Sequence, residues 1–214
     1  MENEILENLR KALLEYNTKE SADWARKAVE EEIDPLKALD TLVGAIREVG
    51  DSFGSGESFL PDLIGAADAM QSAMPILDEE IKRRGSTRES MGKVVIGSVF
   101  GDIHNIGKSM VTSLLTAQGF EVLDLGINVP TDKFIGAVKE HNPQIVAMSA
   151  LLTTTAPEGK KVIDSLKREG LREKVKVIIG GGAINEAFAE SIGADGYDPT
   201  APGAVGLCKS LLGK

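Results

Sequence analysis

Apolar residues recur at helical spacing through the first 84 positions and then give way to short continuous apolar runs, a change of period that divides the chain. Leu36, Leu39, Leu42, Val43, Ile46 and Val49 fall on one face of a helix. Asp34-Pro35 opens it with an N-cap oxygen and a residue whose missing N–H costs nothing there. A second helix is predicted from Pro61, carrying Leu63, Ile64, Ala67, Met70, Met74 and Leu77, and two shorter ones precede them over 5–14 and 22–31. Four amphipathic helices in series imply a four-helix bundle over 1–84.

Arg83-Arg84-Gly85-Ser86-Thr87-Arg88-Glu89-Ser90 holds no apolar residue, so a linker is expected over 85–91 and a second domain over 92–214. In that domain the apolar runs 94–99, 121–125, 145–149 and 175–179, with a short fifth near 194–197, alternate with amphipathic stretches. This is the pattern of a parallel sheet buried on both faces. The expected fold is α/β: a doubly wound, flavodoxin-like (Rossmann-type) five-stranded sheet of order 2-1-3-4-5, which binds ligands beyond the carboxyl ends of strands 1 and 3.

Composition narrows the function classes. A net charge of −9 and a pI near 4.9 argue against a nucleic-acid or anionic-membrane surface, because phosphates are repelled. The lone Cys208 permits neither an internal disulfide nor a cysteine zinc cluster, and reads as a small residue in the last helix. Met1-Glu2-Asn3-Glu4 lacks the basic-then-apolar order of a signal peptide and no run reaches the length of a membrane span, so a cytoplasmic location is expected.

Three loops fall at the carboxyl ends of strands 1, 3 and 4: Asp102-Ile103-His104-Asn105-Ile106-Gly107, Ser149-Ala150-Leu151-Leu152-Thr153-Thr154-Thr155, and Gly180-Gly181-Gly182. A neutral imidazole at His104 can ligate a transition metal through one nitrogen while its other N–H donates to the Asp102 carboxylate, which fixes the tautomer and raises the basicity of the ligating atom. A hydroxyl, with Thr155 as candidate, could extend that pair. Read from spacing alone, the same Asp-x-His pair can equally cap the following helix, and the glycines can serve the turns. His141, in Lys139-Glu140-His141-Asn142-Pro143, sits at an expected helix C-terminus and reads as a surface cap.

Asp102-x-His104-x-x-Gly107, then Ser149-x-Leu151, then Gly181-Gly182 resemble in order and spacing the three-part signature of cobalamin-binding domains of the methionine synthase type. Phe59-Leu60-Pro61-Asp62-Leu63 and Ala66-Ala67-Asp68-Ala69-Met70 look like the helical cap module that precedes such domains. The resemblance spans nearly the whole chain, and its closest form is the stand-alone corrinoid protein of methylamine- and methanol-type methyltransferase systems.

That resemblance implies a cobalamin or related corrinoid whose benzimidazole tail leaves cobalt and enters a pocket beside the sheet, with His104 as lower metal ligand. It maps Asp102 and Thr155 to a relay behind His104, and Asn105, Ile106 and Gly107 to the same loop. Ser149, Leu151, Thr153, Gly181 and Gly182 map to the tail pocket. Tyr197, Thr200 and Ala201 border the nucleotide, while Phe59 and Met70 either cover the corrin or fill the bundle core. Thr155 departs from the serine of methionine synthase. The implied function is a methyl carrier without a complete active site of its own. It cycles between Co(I) and methyl-Co(III), taking a methyl group from a substrate-specific methyltransferase and giving it to a second one acting on tetrahydrofolate, tetrahydropterin or a thiol. A reductive activation protein is a further expected partner.

Three other readings have their own discriminators. A mutase subunit needs a substrate-binding barrel on a separate chain. A cobalamin-dependent sensor needs a basic helix-turn-helix, which the acidic first half does not supply. A hydrolase with His104 as base needs a nucleophile elbow, and no G-x-S-x-G follows a predicted strand: Gly50-Asp51-Ser52-Phe53-Gly54 falls in the helical half.

Overall fold

The structure is a computed structural model that describes residues 2–85 and 90–214, in two compact units, one of 1–89 together with 116–119 and the other of 90–115 and 120–214. Of the expected linker 85–91, residues 86–89 lie outside the described residues.

The first unit is built from α1 (Glu2–Leu14), α2 (Thr18–Glu30), α3 (Pro35–Ser55) and α4 (Leu60–Arg83). α3 starts as its sequence predicts, with Pro35 in its first turn and Asp34 Oδ1 accepting the Leu36 N–H at 3.0 Å. It stops where Gly56 takes φ 82°. α2 starts at Thr18 rather than 22, because Asn17 Oδ1 accepts the Glu20 N–H at 3.1 Å. That polar first turn leaves no trace in the apolar period. Leu9, Leu13, Leu42, Ile46, Leu63 and Leu77 are fully buried, and so is Met70. Phe59 is the opposite case: it stands before α4 with 72% of its surface exposed, its N–H donating to Asp62 Oδ2 at 2.8 Å.

Near the end of α4, the buried Glu80 accepts from Arg83 Nε at 2.6 Å and Nη2 at 2.7 Å, and from Arg84 Nε at 2.6 Å. These guanidinium groups, Arg83 first, lower its pKa to about 2 from 4.5. A carboxyl depressed in the fold stabilises it fully above the unfolded value and loses that contribution as pH falls toward the folded one. The thermal midpoint of the wild type is therefore expected to drop more steeply between pH 4.5 and pH 2 than that of Glu80→Gln. Melts at pH 7, 4 and 2.5 check this, and parallel curves would remove Glu80 from the acid transition.

The second unit alternates β1 (Lys93–Ser98), α5 (Ile106–Ala117), β2 (Glu121–Asp124), α6 (Thr131–His141), β3 (Ile145–Ser149), α7 (Pro157–Arg168), β4 (Lys176–Gly180), α8 (Glu186–Ile192) and α9 (Ala201–Leu211). The strands are parallel in the order β2-β1-β3-β4, so the order reverses at β1 and β3 as expected. Val95, Val146 and Val177 join one core with Phe134 and Val138 of α6 and Ile163 and Leu166 of α7. The alternate residues Ile96, Ala147 and Ile178 are in register across the sheet and face the other side. His141 closes α6, where Asn142 turns left-handed at φ 47°. Cys208 is buried in α9, and burial pushes its thiol up to about 12, which leaves it inert. Among the described residues no helix is long and apolar enough to cross a membrane.

The sheet has four strands, not the five expected. The segment 194–197 runs beside β4 as an isolated bridge, Ile178 with Gly196, and does not form a strand ladder. Asp195 uses a side-chain oxygen to accept the Val177 N–H at 2.6 Å, while its own N–H donates to Val177 O at 2.7 Å. A carboxylate thus takes the place a strand carbonyl would hold, and Pro199, with no N–H, bars extension.

Candidate functional site

The turn after β1 is built around a buried carboxylate. Gly101 takes φ 80°, the Asp102 N–H donates back to Val99 O at 3.0 Å, and the Asp102 side chain is left 1% exposed. Its Oδ1 accepts the His104 N–H at 3.1 Å and lies 2.8 Å from His104 Nδ1. Its Oδ2 accepts from the Leu151 N–H at 2.8 Å and from Thr155 Oγ1 at 2.7 Å. Burial alone would raise the Asp102 carboxyl, but the donors from Thr155, His104 and Leu151 outweigh it and hold the group well below the usual carboxylate range. A permanent anion at Nδ1 selects the tautomer with its proton there, which leaves Nε2 with its lone pair free.

The imidazole projects among apolar residues. Phe100, Ile103, Ile106, Ile127, Leu151 and Leu152 are six of the eight large hydrophobic residues that the described chain exposes, and all six sit on loops or a helix start at the carboxyl ends of β1, β2 and β3. A shelf of that kind marks a binding surface rather than a solvated edge. Among the described residues no three His, Cys, Asp or Glu side chains cluster as a metal site. His104 is the one imidazole that the described residues place on these loops, so the site suits a metal whose other positions are filled by its own macrocycle.

Beside this shelf a cavity of about 380 Å³ opens under α5. Ile96, Ala147 and Ile178 form its floor on the sheet, and Met110 and Val111 of α5 cover it. Of the residues expected to bind a cofactor, Gly107, Ser149, Gly181 and Gly182 line it, as do Tyr197, Thr200 and Ala201. Leu151 and Thr153 do not. The Leu151 backbone holds Asp102 instead, and Thr153 is exposed in the β3–α7 loop. Asn105 and Ile106 are exposed at the start of α5. Met110, Val111, Lys108 and Asp198 also line the cavity and were not anticipated from sequence. Helical spacing from Gly107 would have found the first two, since positions three and four further on share its face.

The glycines divide by what surrounds them. A Cβ on Gly107 would meet nothing within 4 Å, so the protein's own packing does not require glycine there, and the space it leaves belongs to the cavity. Gly181 is under a different constraint. It takes φ 114°, and a Cβ would lie 2.2 Å from Ala150 O, so the β3–β4 crossing can be made only with glycine.

The site fits a corrinoid on three counts: one open imidazole nitrogen, an apolar shelf around it, and an adjoining cavity with a vacant Cβ position. Comparison with known proteins agrees. Residues 92–205 match a B12 binding domain, and residues 5–78 match a second model of the same description. The chain is 40% identical over 98% of its length to a corrinoid protein of Desulfitobacterium hafniense strain Y51, covering 98% of it. It is 39% identical over 98% of its length to the trimethylamine corrinoid protein of Methanosarcina barkeri, covering 97% of that. A chain in the crystal structure of the methanol:cobalamin methyltransferase complex of Methanosarcina barkeri superposes with a TM-score of 0.82 at 31% identity, covering 98% of this chain and 80% of that one. With its two B12-binding matches and full-length likeness to these relatives, the chain belongs to the family of corrinoid proteins with B12 binding domains.

Proposed function

We propose that this chain is a corrinoid-binding methyl carrier, working between a methyltransferase that selects the methyl donor and a second one that passes the methyl group to a pterin or a thiol. The carrying observation is the Thr155–Asp102–His104 chain of hydrogen bonds, which ends in a free imidazole nitrogen on an apolar shelf. A bound corrinoid supplies a cobalt that takes up and gives away a methyl group, chemistry the side chains cannot perform. His104 Nε2 would hold that cobalt, and Asp102 gives the Nδ1 proton a partner and fixes the direction of the ring. The cavity under α5 would take the cofactor's nucleotide tail, with Gly107 leaving room for it.

Three features favour a carrier. The described residues form a helical unit and a four-stranded unit, without a barrel to enclose a substrate. Two of the relatives named above are a trimethylamine corrinoid protein and a chain of a methanol:cobalamin methyltransferase complex, in which donor recognition would belong to the partner. The net charge of −9 speaks against the DNA-bound sensor. A reductive activation protein is proposed as a third partner, to return over-oxidised cobalt to its reactive state.

Reconstitution with hydroxocobalamin tests the reading. The absorption spectrum is expected to show benzimidazole displaced from cobalt, and the loaded protein should be methylated by a cognate methyltransferase from one of a panel of methanol and methylamines. Failure to bind, or binding with the benzimidazole still on cobalt, would overturn it.

A further inference from the structure

Lys108 is buried to 3% exposure, with 1% of its side chain accessible, in the first turn of α5. Both features are unfavourable: a buried cation loses hydration, and the positive end of the helix dipole repels it. Its ammonium pairs with Asp124 Oδ2 at the end of β2, while its stem lines the cavity. Nothing proposed for the cofactor so far uses this ion pair.

The consequence of the pair lies in the loop it holds. Asp124 Oδ1 accepts the Gly126 N–H at 2.8 Å, and Gly126 O accepts the Ser98 N–H at 3.0 Å. Two residues on, Asn128 takes φ 50°, donates its N–H to Asp102 O at 2.8 Å and accepts the Gly101 N–H on Oδ1 at 2.7 Å. Ser98 closes the circuit, its Oγ donating to His104 O at 2.8 Å. The 124–129 loop therefore props the 101–104 turn from the side opposite Leu151 and Thr155, and Lys108 is the anchor of that prop.

We infer that Lys108 is a positioning residue for His104, acting through Asp124 and Asn128 to set how the imidazole is presented to cobalt. The inference rests on His104 being the lower ligand. Asp102 fixes the ring's tautomer and rotation, while the Lys108–Asp124 pair fixes the backbone turn that carries it. Because the lysine stem is also cavity wall, occupation of the cavity and presentation of His104 share one side chain.

The test loads wild type, Lys108→Met, Asp124→Asn and Asn128→Gly with hydroxocobalamin, reduces cobalt to Co(II), and measures the fraction whose electron paramagnetic resonance spectrum carries splitting from an axial histidine nitrogen. Met keeps the stem without the charge, and glycine keeps the left-handed backbone at 128 without the side-chain acceptor. The histidine-coupled fraction is expected to fall about tenfold in each variant, as when a ligand loses its supporting partner. The double variant Lys108→Met/Asp124→Asn should be no worse than the worse single, since both act through one contact. Asn128→Gly keeps the inference open to refutation should the charge variants fail to fold. A wild-type histidine-coupled fraction in the folded variants would overturn it. Absence of nitrogen splitting in the wild type would overturn the ligand assignment itself, and this inference with it.

Discussion

Replacing His104 with Ala is expected to leave the apoprotein folded and able to take up corrinoid, while abolishing the axial nitrogen on cobalt. The imidazole meets Asp102 through Nδ1 alone, and 45% of its side chain is exposed. When it is removed, the Asp102 carboxylate keeps the backbone N–H of position 104, the Leu151 N–H and the Thr155 hydroxyl. The loss to folding is therefore one hydrogen bond, about 1 kcal/mol. Added imidazole should restore the nitrogen signature by occupying the space the side chain leaves. Persistence of that signature without imidazole would mean that another donor ligates cobalt.

Asp102→Asn should be the more damaging change to the fold, although it is the smaller change in shape. Each carboxylate oxygen already accepts from two donors or more, so an amide must turn its NH2 toward N–H or O–H groups on one side. Leaving such buried groups unpaired costs about 1–3 kcal/mol. The amide also no longer holds the Nδ1 proton by charge, and loss of a supporting partner of that kind weakens ligation about 10–100-fold. Thermal melts together with spectral titration separate the two variants: His104→Ala loses ligation at nearly unchanged stability, whereas Asp102→Asn loses both.

Much of this site is legible in the sequence because its chemistry is carried by side chains at loop positions that the strand order selects. Asp102, His104 and Gly107 after β1 and Ser149 at the end of β3 fall where the sheet order reverses, and Gly181-Gly182 follow the carboxyl end of the neighbouring β4. What escapes is what the backbone does. Leu151 contributes an amide to Asp102, and an amide is the same for every residue but proline. Asn128 reaches Gly101 from a loop after β2, an outer strand that the ligand rule does not select. The absent fifth strand has the same origin: Asp195 caps β4 with its carboxylate, and a hydrophobicity pattern does not distinguish a cap from a ladder.

The two kinds of glycine lead to predictions of opposite sign. Gly181→Ala places a methyl group 2.2 Å from Ala150 O at a φ of 114°, against backbone that cannot move without breaking the β3–β4 pairing, which includes the Ala150 N–H donating to Gly180 O at 2.9 Å. Strained backbone of this sort costs about 1–3 kcal/mol before the clash is counted, and the overlap should carry the total past about 4 kcal/mol, a large share of the stability of an ordinary domain. Gly107→Ala meets no neighbour within 4 Å in a helix, where alanine is favoured over glycine by up to about 1 kcal/mol, so the apoprotein should melt higher than wild type. If the cavity beside it receives the nucleotide tail, that stabilised protein should nonetheless bind corrinoid more weakly. Gly107→Val should bind it about 10–100-fold more weakly, because the added groups occupy space the ligand needs at about 1–3 kcal/mol. Melting of the apoproteins and hydroxocobalamin titration of each decide the matter. Unchanged affinity in Gly107→Val would place the tail elsewhere, and a normally folded Gly181→Ala would show that the Ala150 carbonyl can yield after all.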